Sequence, residues 1–502
     1  MRFHFYLLIF NILSISFSSI AQITPNQEEL WKSFNLFREM LAIPNDAHDL
    51  KQSIYNVRWC EKAFKERNFS TVQLETPGAP LLLAEYNVKN ESLPTVLVYL
   101  QIDGQPVDPS FWWQRDPYVA TLKKQSDEGD WQEIPWENLQ NTIDPEWRIF
   151  ARSASDAKGP AAIFLTALDL LHKYGHSVAF NLKVIMDFEE ELGSPHLPGA
   201  VEVHKDLLSA DHLVIFDGPP HMSNEPTLSF GARGITDVSI TVYGPEYPVH
   251  SGNYGNFAPN PVFKLSRLLS SMKDEEGRVL IPGWYDGIDL DEATLEILRA
   301  VPDNDNEMRF KMGFAEAEKV TSSFQEAMQY PTLNVRGLQS AWVGKDVRTI
   351  IPATALAEID IRTVIESNPE VLLSKLRNHI ENQGFQILDG KPTKKDRMTY
   401  PNLCTMTSQI MYEAFRTPLD GSTGQWLRHC MKKATGKDPV MIRVVGGSIP
   451  IAPFVNTLEV PAVTVPTVNP DNNQHSPNEN IRLGNYLQGI EIITTILSEP
   501  VK

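Results

Sequence analysis

"LVYLQIDGQPVD", residues 97–108, is an apolar run that stops at Gln101 and turns through Asp103, Gly104 and Pro106. Leu97, Val98 and Leu100 have the character of a buried strand, and Asp103 is a carboxylate in the polar turn that follows. In an open parallel sheet, ligands sit beyond the carboxyl ends of the strands. The stretch therefore decides the fold if other strands end in the same way, and they do. "KVIMDF" (183–188) leads into Glu189, Glu190 and Glu191, and "HLVIF" (212–216) leads into Asp217. Between them, residues 159–175 place Ile163, Ala167 and Leu170 beside Phe164, Leu168 and Leu171 at helical spacing, with Pro160 at the start and Gly175 at the end. Alternating strands and helices predict a mainly parallel sheet with helices on both faces, an α/β fold.

Each of these acids alone reads as a turn residue or a solvated helix start. Three such ends on one rim must repel, and a divalent cation offsets that repulsion most simply. Asp156, in "ARSASDAKGP" (151–160), stands in the turn before the helix, where a capping role needs no metal. A histidine is the further donor expected in a hydrolytic zinc site. His475, in "NPDNNQHSPNE" (469–479), occupies a polar loop without helical pattern. His250, in "PEYPVHSGNYGN" (245–256), is placed similarly, and either fits an ordinary surface position equally well.

The chain has 502 residues, more than one ordinary core accommodates, so two domains are expected. A formal charge of −18 argues against nucleic acid or an anionic membrane surface as partner. "MRFHFYLLIFNILSISFSSIAQ" (1–22) carries Arg2, an apolar stretch from Phe5 to Phe17 and a small-residue end. That layout predicts a signal peptide over 1–21 cleaved after Ala21, and hence export to a periplasmic or extracellular space. No second segment reads as membrane-spanning, so the mature form is expected off the membrane. Cys60, Cys404 and Cys430 are too few for a disulfide scaffold, though one pair could form.

From 228 to 244 polar–apolar alternation replaces the solid apolar runs, which predicts a sheet with one wet face. Helix-like 261–274, strand-like 355–364 and helix-like 369–384 complete a second α+β unit, and 389–398 reads as a linker. The last hundred residues look too strand-poor to stand alone. The expected organisation is a catalytic domain in two pieces, 22–230 and 396–502, with an inserted unit over 231–395.

Read in order, eight segments resemble the co-catalytic dizinc metallopeptidases that include carnosine dipeptidases, aminoacylases and glutamate carboxypeptidases. They are "YLQIDGQPVD" with "WQRDPY", "ARSASDAKGP", "DFEEELGS" (187–194), "VIFDG", "RGITDVSITVYG" with "HSGNYG", "IPATALAEIDIR" (351–362), "GGSIPI" (446–451) and "HSPNE" (475–479). The resemblance implies two divalent ions, in the first place zinc with manganese or cobalt as alternatives, and an inserted lid that forms a homodimer. It makes Asp156 the bridging ligand, Glu191 and His475 the completion of one site, and Asp217 a ligand of the other. Glu190 becomes the general base on a metal-activated water, and Asp103 the residue that orients the ligand two positions before it. His250, from the partner subunit, would polarise the scissile carbonyl. Arg362, with Gly447 and Ser448 of the "GGSIP" loop, would hold a small peptide's C-terminal carboxylate.

The chain departs from the family pattern at Gln101, where a ligand histidine is expected. An amide oxygen is a poorer zinc donor than imidazole. Gln101 therefore predicts a harder ion such as Mn²⁺ at the site between Asp156 and Asp217, a weak second site, or a protein that binds peptide without cleaving it. Ala157 also replaces an acid, at a position that is not a ligand. The leading expectation is an exported metallopeptidase acting on dipeptides or C-terminal peptide bonds. N-acyl amino acid deacylation on the same site is the alternative within the enzyme class.

Overall fold

A computed structural model describes residues 23–501, so the expected leader over 1–21 lies outside the described residues. The central sheet has eight strands in the order Phe69–Leu74, Leu81–Tyr86, Asn181–Asp187, Thr95–Gln101, His212–Ile215, Ala462–Thr464, Thr227–Ser229 and Val440–Ile442. Its middle is parallel: Thr95–Gln101 pairs in parallel with Asn181–Asp187 and with His212–Ile215, which pairs in parallel with Ala462–Thr464.

The apolar run at 95–101 is explained by two buried faces. Val96, Val98 and Leu100 pack among residues of helices Gln27–Leu41, Leu50–Lys65, Lys158–Lys173, Ser422–Thr435 and Leu483–Ser498. Leu97 and Tyr99 point the other way, into a core capped by Leu197–Val203, Lys205–Leu208 and Ala452–Leu458. A strand covered on both sides needs no polar alternation. Two strands from the C-terminal part of the chain, Val440–Ile442 and Ala462–Thr464, belong to this sheet.

A four-stranded sheet, Asn480–Arg482, Arg148–Phe150, Thr121–Gln125 and Trp131–Glu133, flanks the rim. Asn480 pairs with Phe150 in antiparallel register. The residues just after 150 and just before 480 are therefore neighbours, although more than 300 positions separate them in the chain. This pairing delivers the Asp156 turn and the His475 loop to one place.

The inserted unit is a five-stranded sheet ordered Asn334–Gln339, Thr354–Thr363, Gly234–Tyr243, Leu403–Tyr412 and Gln386–Leu388. Burial alternates along Gly234–Tyr243 and Thr354–Thr363, and helices Pro261–Ser270 and Pro369–Asn382 contribute to the core on one face. The alternation read over 228–244 reflects that single covered face.

Two expectations shift. Leu403–Tyr412 pairs along its length with Gly234–Tyr243, so the inserted sheet extends past 395 to Tyr412. Its strand runs out to an exposed end, which weakens the alternation in sequence. Within the presumed linker, Lys394–Thr399 is a short helix, because Thr393 and Asp396 form a reciprocal capping box. All three cysteines are buried and unpaired. No described helix is long and apolar enough to cross a membrane.

Candidate metal centre

The rim collects the predicted acids. Asp156, Glu191 and His475 each offer one donor atom, and the three atoms lie within 4.8 Å of one another. His475 Nε2 stands 3.0 Å from Asp156 Oδ2 and 3.1 Å from Glu191 Oε2. These two carboxylates raise the imidazole to about 10, the effect of two negative charges beside one ring. A ligand histidine must be neutral, so binding an ion there displaces its proton.

Asp156 is positioned by a residue given no role in the sequence reading. Glu479, completely buried, accepts hydrogen bonds from the backbone N–H groups of Ser153, Ser155 and Asp156, from Ser155 Oγ and from Arg152 Nη1 at 2.6 Å. Burial pushes its carboxyl up, and the Arg152 guanidinium pulls it back. The helix N-cap is Ala157, which offers no side-chain cap, so Asp156 is not spent on capping.

The Glu190–Glu191 turn is held from both sides. Asp187, buried at the end of its strand, accepts from the Glu189 N–H at 2.9 Å, Tyr99 Oη at 3.1 Å and Ser194 Oγ at 2.5 Å. Gly193 closes the turn at φ +86°, and a side chain there would meet Tyr412 Oη from the inserted sheet at 2.4 Å. Only glycine satisfies both constraints. Glu191 Oε2 also accepts from Gln105 Nε2 at 2.8 Å.

Asp103 takes a different part from the one expected. Its Oδ2 accepts from the backbone N–H of Glu191 at 2.9 Å, and no hydrogen bond joins it to Gln101. Its other oxygen is buried without a partner. Gln101 has a single NH₂ group, already turned towards Asp156 Oδ1 at 3.3 Å and Asp217 Oδ1 at 3.4 Å. In this orientation the amide has no further N–H to give Asp103.

The electrostatics are those of a centre built around positive charge. Burial and Asp156 raise Asp217 to about 7. Burial, then Asp187, holds Asp103 well above the carboxylate range, and burial with Asp217 and Asp156 does the same to Glu190. The Glu190 carboxylate hydrogen-bonds to no described residue, which leaves its lone pairs free.

Arg362 Nη1 donates to Ser448 Oγ at 2.9 Å, so these two predicted residues do meet. Gly447 has open space around it. His250 is exposed in the inserted unit, where its Nδ1 accepts from the Gly252 N–H at 3.0 Å. It makes no hydrogen bond to the acid cluster.

A model of peptidase family M20/M25/M40 matches residues 121–499. The chain belongs to this family. It is a metallopeptidase, an enzyme, and the reading as a non-catalytic binder falls away. The chain is 28% identical over 446 residues to the Cys-Gly metallodipeptidase dug1 of Schizosaccharomyces pombe, covering 85% of this chain and 83% of that protein. It is 26% identical over 432 residues to the human Beta-Ala-His dipeptidase, covering 84% and 78%. Its fold is similar to the crystal structure of the M20 family metallo-carboxypeptidase Sso-CP2 from Sulfolobus solfataricus, with a TM-score of 0.75, 26% identity and coverage of 94% and 98%.

One solved M20 structure of similar fold, the YXEP protein of Bacillus subtilis, is a dinuclear metal-binding peptidase. In this chain the donor sets on the two sides of Asp156 differ. Asp156, Glu191 and His475 give the mixed oxygen–nitrogen set that suits zinc. Asp156, Asp217 and Gln101 give oxygen only, and the Gln101 Oε1 is buried without a partner. Turning the amide over would aim that oxygen between the two acids, an arrangement that suits a harder ion.

Glu479→Gln should lower stability by about 3–5 kcal/mol in urea unfolding, because it strips the partner from buried Arg152 and turns an NH₂ towards backbone donors. A loss below about 1 kcal/mol would show that the carboxylate does not hold the turn. Gln101→His should raise tightly held zinc from about one equivalent per chain towards two, as read by elemental analysis after dialysis. Unchanged metal content would remove position 101 from the ligand shell.

Proposed function

We propose that this peptidase is an exported, zinc-type dipeptidase that uses Glu190 as general base. The observation that carries the reading is the convergence of Asp156, Glu191 and His475 beside a Glu190 carboxylate that nothing else engages. Divalent ions bound there supply a lowered water pKa and a polarised scissile carbonyl. Glu190, held above the usual carboxylate range, takes the proton from the attacking water and returns it to the leaving amine.

Arg362, steadied by Ser448, holds the substrate's C-terminal carboxylate, which a planar guanidinium matches in two parallel hydrogen bonds. A free carboxylate at that point limits the substrate to short peptides cleaved near their C-terminus. The Cys-Gly and Beta-Ala-His dipeptidases among the relatives narrow this to dipeptides. His250, exposed and remote from its own chain's acid cluster by every hydrogen bond it makes, acts in the centre of a second subunit. Function then requires a homodimer. Export rests on the leader over 1–21.

The direct test is a dipeptide panel including β-Ala-His and Cys-Gly, run on metal-free protein restored with Zn²⁺, Mn²⁺ or Co²⁺. No turnover with any of the three ions sinks the proposal. Glu190→Gln should retain its metal and lose about 10²–10⁴ of turnover; a variant that keeps full activity would take Glu190 out of the base role. Mixing the inactive His250→Ala and Glu190→Gln chains should restore about a quarter of wild-type activity, since half of the dimers are then mixed and one of their two centres is intact. Mixtures as inactive as their parents would place His250 in its own chain's centre.

A further inference from the structure

Arg233 is 8% exposed and stands at the joint between the catalytic domain and the inserted sheet. Its backbone is stitched to the loop that carries Ser448: its N–H donates to the Val445 carbonyl at 3.2 Å, and its carbonyl accepts from Ser448 Oγ at 2.5 Å. Ser448 Oγ in turn accepts from Arg362 Nη1 at 2.9 Å. The two arginines thus share one serine, and Arg362 is close enough to help burial lower Arg233 to about 10.

The guanidinium of Arg233 lacks partners. Its Nε and Nη1 are buried and make no hydrogen bond. Five other arginines among the described residues have a buried unpaired nitrogen, and each also has a carboxylate: Arg67 with Asp169, Arg148 with Asp471, Arg152 with Glu479, Arg416 with Glu366, Arg482 with Glu146. Arg233 has none within salt-bridge distance. The acid it feels, Asp360, stands 3.8 Å from Arg362 Nε. Arg233 thus carries a positive charge in a buried position with no carboxylate of its own, which is costly unless an anion completes it. The adjoining loop reaches the guanidinium at Gly446, where an added Cβ would lie 3.4 Å from Arg233 Nη2 and 3.3 Å from Met328 Sδ, and it is open at Gly447, where no atom lies within 4 Å of that place.

We propose that Arg233 is the second arm of the carboxylate clamp, binding the same C-terminal carboxylate as Arg362 and making the enzyme selective for peptides with a free C-terminus. This rests on the reading of Arg362 given above.

The test compares a dipeptide that the enzyme turns over with the C-terminal amide of the same dipeptide. Arg233→Met should raise KM for the free acid about thirtyfold or more, leave kcat within a few-fold, and leave hydrolysis of the amide unchanged, so that the acid-over-amide preference collapses. Arg233→Lys keeps the charge without the fork; it should fold where the methionine variant does not and raise KM for the acid several-fold. A role confined to stability would lower the melting temperature without changing the acid-over-amide ratio, and that result overturns the proposal. If Arg362→Met abolishes the preference while both Arg233 variants keep it, Arg233 is not in the clamp and the Arg362 reading stands. If no variant at either position alters the preference, both assignments are overturned.

Discussion

The buried carboxylate of Glu479 is the contact on which the metal centre depends. Five donors from residues 152–156 converge on it, and it is four residues beyond His475. One side chain therefore fixes the turn of Asp156 and anchors the loop of His475. The strand pairing at Asn480 and Phe150 brings the two segments to within reach, and Glu479 sets their final geometry. A carboxylate is the group for this task because three backbone N–H groups and a guanidinium need an acceptor with several lone pairs, and no neutral side chain offers as many.

Around that anchor the peptidase gathers an unusual density of negative charge. Asp103, Asp156, Asp187, Glu190, Glu191 and Asp217 crowd together, and burial and one another's charge push Asp103, Glu190 and Asp217 towards their neutral forms. Two features temper the repulsion within the chain: the proton on His475 and the NH₂ of Gln101, each set between two acids. They mark the places where positive charge belongs. The first can leave and vacate its place; the second is covalent and can only turn over. That difference makes the two metal positions unequal in this chain.

Much of this was legible in the sequence because the relevant constraints are local. Solid apolar runs ending in acids gave the parallel sheet and its rim, and the motifs named Asp156, Glu191 and His475, whose donor atoms the fold brings within 4.8 Å of one another. The missing pieces act over long separations. Glu479 lies inside a quoted motif, but its partners are over 300 residues away. Asp187 looks like the last polar residue of a strand until Tyr99 and Ser194 close on it. Asp103 was expected to orient the side chain at 101, and its hydrogen bond to the Glu191 N–H, 88 residues away, has no signature in the sequence. The strand 403–412 was passed over because its outer half is exposed and its alternation fades there, although its inner half pairs in full with 234–243.

The joint between the two units has its own logic. The chain leaves the catalytic domain through Gly231–Ala232 and returns through Phe415–Arg416, and these segments pair antiparallel. A side chain at Gly231 would lie 2.5 Å from the Phe415 carbonyl, and one at Gly234 would lie 2.6 Å from that of Tyr412. The glycines flanking Arg233 are thus demanded by the closeness of the two crossings. Arg233, tied by its backbone to the loop at 445–448, belongs with the catalytic domain, whereas Arg362 is carried on the inserted sheet. Ser448 bonds to both. A carboxylate held between the two guanidiniums would draw one arm from each unit, so substrate binding and the placement of the inserted unit would be coupled through the same few hydrogen bonds.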